Sequence, residues 1–154
     1  MNITKNIRIG FSVFGFIIVL FQSLPNIIWA LFPPKINPLE GNASSILFVE
    51  YGEHILGVAI VTLLLFLVNT AQKKAIPNVP LTYVGFAAIL LYWLCWALYF
   101  CTIQPYPLIY AMVILPPVAF FCAGAAQKIY IISVASVLFL ALHLTVALEN
   151  FPVW

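Results

Sequence analysis

The side chains best suited to acid–base chemistry or ligand binding gather at the start of one apolar segment. Glu50, Glu53 and His54 are spaced three and four residues apart, which places them on one face of a helix. His143, the second of two histidines, lies in the last apolar segment of the chain. Carboxylates and imidazoles that face each other can exchange protons, bind a metal ion or hydrogen-bond a polar ligand. Which of these three functions is possible depends on the helices that position the side chains.

The composition shows whether the helices that carry these residues are surrounded by water or by lipid. Of the 154 residues, 65% are hydrophobic and 6% are charged, and the mean hydropathy is +1.14. Soluble domains are about half apolar and about a quarter charged. This difference excludes a soluble domain, a nucleic-acid binder with a basic face and a disordered tail. We therefore expect an integral membrane protein whose partner is the lipid bilayer, and no nucleic-acid partner.

A helix needs about 20 mostly apolar residues to cross a membrane. The sequence predicts an all-α bundle in a single transmembrane domain, residues 1–154. Its five predicted spans are residues 8–32, 46–69, 81–103, 107–124 and 129–148. Pro116 and Pro117 fall in the fourth span, where they predict a kink. The alternative is a bundle of four spans in which this fourth segment is re-entrant.

The distribution of basic residues predicts the orientation, because cytoplasmic loops carry an excess of lysine and arginine. With a cytoplasmic N-terminus, one set of basic residues falls inside: Lys5, Arg8, Lys73, Lys74 and Lys128. Lys35 falls outside, together with the glutamates and the C-terminal Trp154. We predict a multi-pass protein of the plasma membrane with its N-terminus inside and its C-terminus outside.

Polar and aromatic residues concentrate in the predicted outer half of the spans. His54 and His143 are expected at similar depths, roughly 12 and 9 Å from the outer ends of their helices. Ionisable groups are costly in lipid, so both histidines and at least one of Glu50 and Glu53 should converge in one cavity. Trp29 is typical of an interfacial aromatic belt. The predicted outer-half pocket is lined by Gln22, Asn26, Glu50, Glu53, His54, Tyr92, Trp96, Tyr99 and His143.

Such a pocket leaves several functions open. Aromatic walls with a few fixed polar groups are typical of small-ligand sites. The leading hypothesis is a non-enzymatic protein that binds or transports a small amphipathic or lipophilic ligand, with no cofactor. The first alternative is a membrane-embedded enzyme. Glu50, His54 and His143 could hold a metal or haem. Alternatively, one of these residues could act as a general base in a reaction on a lipid. The polar residues could also be hydrogen-bonding contacts between helices. A further alternative is an accessory or immunity-type subunit, in a homo-oligomer or a larger membrane complex.

In length and number of spans, the chain resembles the translocator-protein group, which binds tetrapyrroles and sterols. The tryptophan–proline pattern of that group is not present in this sequence. The resemblance therefore implies no site residues.

Overall fold

The computed structural model describes residues 6–152. This part of the chain contains five α-helices, each long and apolar enough to cross a membrane. They are α1 (Val13–Leu31), α2 (Leu47–Phe66), α3 (Pro80–Phe100), α4 (Tyr106–Ala126) and α5 (Tyr130–Asn150). The predicted all-α fold and the predicted number of long apolar helices are confirmed, and five such helices indicate a multi-pass membrane protein. Lys5 and Trp154, which the sequence analysis placed on opposite sides, lie outside the described residues.

Helix α4 continues through its two prolines. Pro116 and Pro117 are buried inside an unbroken helix that ends at Ala126, so the re-entrant alternative is wrong. A proline in a helix leaves a carbonyl without its usual N–H partner, a defect that neighbouring helices can shield from lipid. Helix α4 has that shielding, since it packs against both α3 and α5. It is also the most buried of the helices, with 56% of its span inside the bundle.

A short antiparallel pair of strands accompanies the five helices of the all-α bundle. Strand β1 (Ile7–Ile9) pairs with strand β2 (Leu67–Asn69), with Ile7 opposite Asn69 and Ile9 opposite Leu67. Most of these residues were predicted to lie in the first two spans. Backbone N–H groups of the entering chain instead bond the last carbonyls of α2, with Gly10 N 2.9 Å from Phe66 O. The strands therefore tie the start of α1 to the end of α2.

Glycine 15 allows α1 to reach the backbone of α2. A Cβ atom at Gly15 would lie 1.7 Å from the carbonyl oxygen of Leu64, far inside contact distance. The same turn of α1 is capped by Ser12, whose Oγ accepts from Gly15 N at 3.0 Å. Ser12 Oγ also donates to Gln127 Oε1 at 3.0 Å, which connects α1 to the end of α4. Three helices are thus fastened together at this end of the bundle.

The charged residues separate to the two ends of the bundle. The lysine end carries Arg8, Lys73, Lys74 and Lys128, and the acidic end carries Glu40, Glu50, Glu53 and Glu149. Lys35 is the exception at the acidic end. Helices α1, α3 and α5 run from the lysine end to the acidic end, and α2 and α4 return. Residues 32–46, which we call the connecting loop, join α1 to α2 at the acidic end.

Candidate functional site

A hydrogen bond between an imidazole and a carboxyl group joins α2 to α5 near the acidic end. The Nδ1 atom of His143 lies 2.8 Å from Oε1 of Glu53, and the two side chains are 23% and 16% exposed. The ring of Phe139 stacks on the imidazole with a centroid separation of 5.0 Å. Glycine brings the helices close here, since a Cβ at Gly52 would lie 2.9 Å from Leu142 Cδ1. Glu53 therefore orients the His143 ring and leaves its second nitrogen, Nε2, for another partner.

His54 does not join this pair, so the predicted convergence of both histidines is wrong. Its side chain is 68% exposed, and Nδ1 lies 2.7 Å from the backbone oxygen of Glu50 on the same helix. Neighbouring helix residues point about 100° apart. Helix α5 packs on the side of α2 that presents Gly52 and Glu53, which leaves His54 on the flank. The alternative metal ligands, Glu50, His54 and His143, are consequently not assembled into one site.

Glu50 and Glu149 hold the connecting loop. A carboxylate oxygen of Glu50 accepts from the backbone N–H of Ser44 at 2.7 Å. Glu149 accepts from the hydroxyl of Ser44 at 2.9 Å and from the backbone N–H of Ser45 at 2.8 Å. Glu50 was predicted to line the pocket, but its carboxylate instead fastens the loop to the start of α2. Both acids therefore serve to close the acidic end of the bundle.

Asn37 is the polar centre of the connecting loop, and the sequence analysis missed it. Its Oδ1 atom accepts from Trp29 Nε1 and from the Tyr99 hydroxyl, both at 2.8 Å. The Tyr99 oxygen in turn accepts from Leu39 N at 3.1 Å. Tyr99, a predicted pocket residue, is fully buried and anchors the loop without lining the cavity. The available signal was the asparagine between helix breakers in Pro33-Pro34-Lys35-Ile36-Asn37-Pro38.

Beneath this loop lies a cavity of about 230 Å³, the acidic-end cavity. Its walls come from α1, α3, α4, α5 and the connecting loop: Asn26, Trp29, Leu39, Asn42, Tyr92, Trp96, Ile109, Met112, Val113 and His143. Four of the predicted pocket residues lie there: Asn26, Tyr92, Trp96 and His143. Trp29, assigned to the interfacial belt, is also part of the wall, because Asn37 holds its indole over the bundle.

Other members of the predicted pocket lie elsewhere. Gln22 is buried one helical turn from Asn26 and is not part of the cavity wall. Glu53 is connected to the cavity only through His143. The apolar part of the wall, supplied by Ile109, Met112 and Val113 of α4, was missed because it has the composition of any buried helix face.

Two polar atoms of the cavity wall are buried without a protein partner. Within the described chain, neither Trp96 Nε1 nor Asn42 Oδ1 makes a hydrogen bond. Tyr92 differs, since its hydroxyl donates to Asn26 Oδ1 at 2.7 Å. An unsatisfied buried donor or acceptor costs about 1–3 kcal/mol. The residues that line the cavity therefore include one unused donor, Trp96 Nε1, and one unused acceptor, Asn42 Oδ1.

The aromatic side of the cavity is closely packed. Trp96 packs edge-on against Tyr92 and Tyr99, with centroid separations of 6.2 and 5.3 Å. Trp29 packs on the same indole at 6.2 Å. Because these rings hold one another, the orientation of the Trp96 N–H is set by the fold rather than by a ligand.

No protein-family model matches this chain, and no curated protein or solved structure is significantly similar to it. The geometry of the acidic-end cavity is therefore the basis for assigning a function.

Proposed function

We propose that this protein binds a small amphipathic molecule in the acidic-end cavity. The proposal rests on two unpartnered atoms, the donor Trp96 Nε1 and the acceptor Asn42 Oδ1, in residues of a cavity wall that is otherwise mostly aromatic and aliphatic. Trp96 is only 4% exposed, so solvent at the protein surface does not satisfy its N–H. A bound polar group that accepts a hydrogen bond from Trp96 and donates one to Asn42 would remove the free-energy cost of both unsatisfied atoms.

The cavity defines the chemical class of the ligand. A hydroxyl or a primary or secondary amide both donates and accepts, as Trp96 and Asn42 require. The rest of the ligand would be apolar, to lie against Trp29, Met112 and Val113. At about 230 Å³ the space lies below the roughly 300–1,000 Å³ of drug-sized pockets. The ligand is therefore a compact molecule with one polar end.

The connecting loop controls access in this proposal. It contributes Leu39 and Asn42 to the cavity wall, and it is held by Asn37, Glu50 and Glu149. A molecule that enters or leaves the cavity at this end then passes the loop. A protein that binds at one face and releases at the other would transport the ligand, and one that releases at the same face would store or sense it.

We further propose that the acidic end faces outward from the plasma membrane. All four glutamates lie at this end, whereas Arg8, Lys73, Lys74 and Lys128 lie at the other. The positive-inside rule then favours a cytoplasmic lysine end. In this orientation the cavity receives its ligand from the extracytoplasmic side.

The test uses phenolic and non-phenolic probes of the same shape. The protein, labelled with 5-fluorotryptophan and purified in mild detergent, is titrated with p-cresol or toluene while its fluorine resonances are recorded. We expect p-cresol to shift the Trp96 resonance saturably, and toluene to bind about three- to tenfold more weakly, since it lacks the hydroxyl. The resonance is assigned by its loss in Trp96→Phe.

The matched control is Trp93→Phe. Trp93 Nε1 donates to the backbone oxygen of Phe21, and this residue is not part of the cavity wall. Binding to both variants is followed by the resonance of Trp29, which also lines the cavity. Trp96→Phe should weaken p-cresol binding to the toluene level, and Trp93→Phe should leave it unchanged. Equal effects of the two variants, or equal binding of the two probes, would refute the proposal.

The Glu53–His143 pair favours a second candidate, an acid–base enzyme that acts on a membrane-soluble substrate. A carboxylate on one imidazole nitrogen orients the other nitrogen for proton transfer, and His143 lines the cavity. Incubation with a total lipid extract, followed by mass spectrometry, tests it. An enzyme would generate a product that is absent with His143→Ala. Identical lipid profiles for the two proteins would exclude this candidate for the lipids in the extract.

A further inference from the structure

A second and larger concave surface lies at the lysine end, far along the bundle from the acidic-end cavity. It has a volume of about 350 Å³ and is formed by the chain between α2 and α3 together with the turn between α4 and α5. Its polar lining includes Asn69, Gln72, Lys73, Lys74, Asn78 and Lys128. A neighbouring hollow of about 220 Å³ shares Asn69, Gln72, Lys73 and Lys74. We call the two together the lysine-end hollow.

Three of the six basic residues of the chain line this hollow. Lys73 and Lys74 come from one connection and Lys128 from another, so the fold brings separate charges together. All four acidic residues of the sequence lie at the opposite end, so none is placed to neutralise them. Helices α3 and α5 begin at this end and α2 and α4 end here, so the partial charges of these helix termini largely offset one another and the lysines set the local charge. The local potential is therefore positive.

The backbone that carries the first two lysines is ordered before any ligand binds. Asn69 donates through Nδ2 to Gln127 O at 3.0 Å, and its Oδ1 accepts from Ala71 N at 3.1 Å. Gln72 N donates to Asn69 O at 3.0 Å. These bonds form a side-chain-stabilised turn directly after β2. The turn sets the positions of Lys73 and Lys74 at the edge of the bundle.

Lys128 occupies a backbone position that usually belongs to glycine. Its φ angle is +58°, in the left-handed region, just after the end of α4. Glycine is the usual residue there because it has no Cβ to strain. Non-glycine residues adopt this conformation infrequently, and among the described residues Thr102 and Lys128 are the two that do so. The lysine-rich composition of this end follows from membrane orientation alone, whereas a lysine at a glycine position does not.

We propose that the lysine-end hollow binds a phosphate group. Lysine ammonium groups and the amides of Gln72 and Asn78 are donors suited to phosphate oxygens. The hollow lies where the helices leave the apolar layer, the level of lipid headgroups, and basic hollows between such helices bind anionic headgroups. The same chemistry would accept a soluble phosphate ester. The experiment therefore includes both sources.

The full-length protein in detergent is examined by native mass spectrometry with dioleoyl phosphatidic acid, dioleoyl phosphatidylcholine or glycerol 3-phosphate added. We expect phosphatidic acid to bind in preference to phosphatidylcholine, whose quaternary ammonium offsets the phosphate charge. Equally tight binding of glycerol 3-phosphate would support the phosphate site and identify its source as soluble. Weaker binding of the soluble ester would assign the site to a lipid.

Variants locate the site. Each lysine near the membrane surface contributes a factor of about five to the affinity for an anionic lipid. The double variant Lys73→Gln/Lys74→Gln, which changes two exposed residues, should therefore weaken phosphatidic acid binding about tenfold or more. Lys128→Gly should weaken it about fivefold while retaining the fold, because glycine adopts the left-handed backbone without strain. Lys35→Gln, which removes a lysine at the acidic end, is the matched control and should have no effect.

Thermal unfolding of each variant separates binding from stability. If Lys128→Gly melts at or above the wild-type temperature and still loses binding, the side chain acts on the ligand. The proposal is overturned if phosphatidylcholine binds as tightly as phosphatidic acid. It is equally overturned if Lys35→Gln reduces binding as much as the lysine-end variants, or if Lys73→Gln/Lys74→Gln leaves binding unchanged.

Discussion

His143 Nδ1 and Glu53 Oε1 lie 2.8 Å apart and connect the first two turns of α2 to the last two turns of α5. The contact is the one place where ionisable side chains from two apolar helices meet within the described chain. Phe139 covers one face of the imidazole, so the pair is partly screened from lipid. It therefore both joins two helices and sets the orientation of a cavity wall.

Removing the Glu53 carboxylate should destabilise the bundle moderately. We expect Glu53→Gln to reduce the free energy of unfolding by about 1–2 kcal/mol, since a charge-assisted hydrogen bond becomes a weaker neutral one. The measurement is unfolding in mixed detergent micelles. His54→Ala is the control and should change stability by less than about 0.5 kcal/mol, because His54 is exposed and bonds only within its own helix. A larger effect at His54 than at Glu53 would contradict the assignment.

Gly15 should not tolerate alanine. A Cβ at this position would lie 1.7 Å from Leu64 O, and both atoms belong to packed helices that cannot move independently. We expect Gly15→Ala to lower stability by about 3 kcal/mol or more, or to prevent folding. Gly57→Ala is the matched control, since its Cβ would meet the Phe139 ring at an ordinary 3.5 Å. Similar stabilities of the two variants, measured by thermal unfolding, would be inconsistent with the close approach of α1 to α2.

Asn37 should control the mobility of the connecting loop. Asn37→Ala leaves Trp29 Nε1 without its acceptor and removes one of two contacts of the Tyr99 hydroxyl. We expect faster backbone hydrogen exchange at Leu39 and Asn42, and a loss of about 1–3 kcal/mol in stability from the orphaned donor. The comparison variant is Asn78→Ala, whose side chain accepts only from the exposed Tyr83 hydroxyl. It should leave exchange in the loop unchanged.

The proposed orientation is tested by cysteine accessibility. In a background in which Cys95, Cys101 and Cys122 are replaced, a membrane-impermeant maleimide applied to intact cells should label Glu40→Cys. It should label Lys73→Cys only after the cells are opened. The reverse pattern would invert the topology and place the acidic-end cavity on the cytoplasmic side, without altering its geometry.

The sequence alone determined the features that depend on local composition. Five apolar stretches of sufficient length predict five helices, because a helix in lipid satisfies its own backbone hydrogen bonds. The alternation of these helices places the lysines and glutamates at opposite ends. Helical periodicity also identified Asn26, Tyr92 and Trp96 as inward-facing, and all three line the cavity.

Only the tertiary structure decided which flank of each helix meets a neighbour. Glu53 and His54 are adjacent in sequence, yet one pairs with His143 and the other is exposed, because α5 approaches α2 at its glycines. The hydrogen bonds of Asn37 and the unpartnered atom of Asn42 likewise arise from a loop that folds back over distant helices. Hydropathy and periodicity describe a helix by itself. The cavity depends instead on the angles and distances between helices, which are set by close packing of side chains far apart in the sequence.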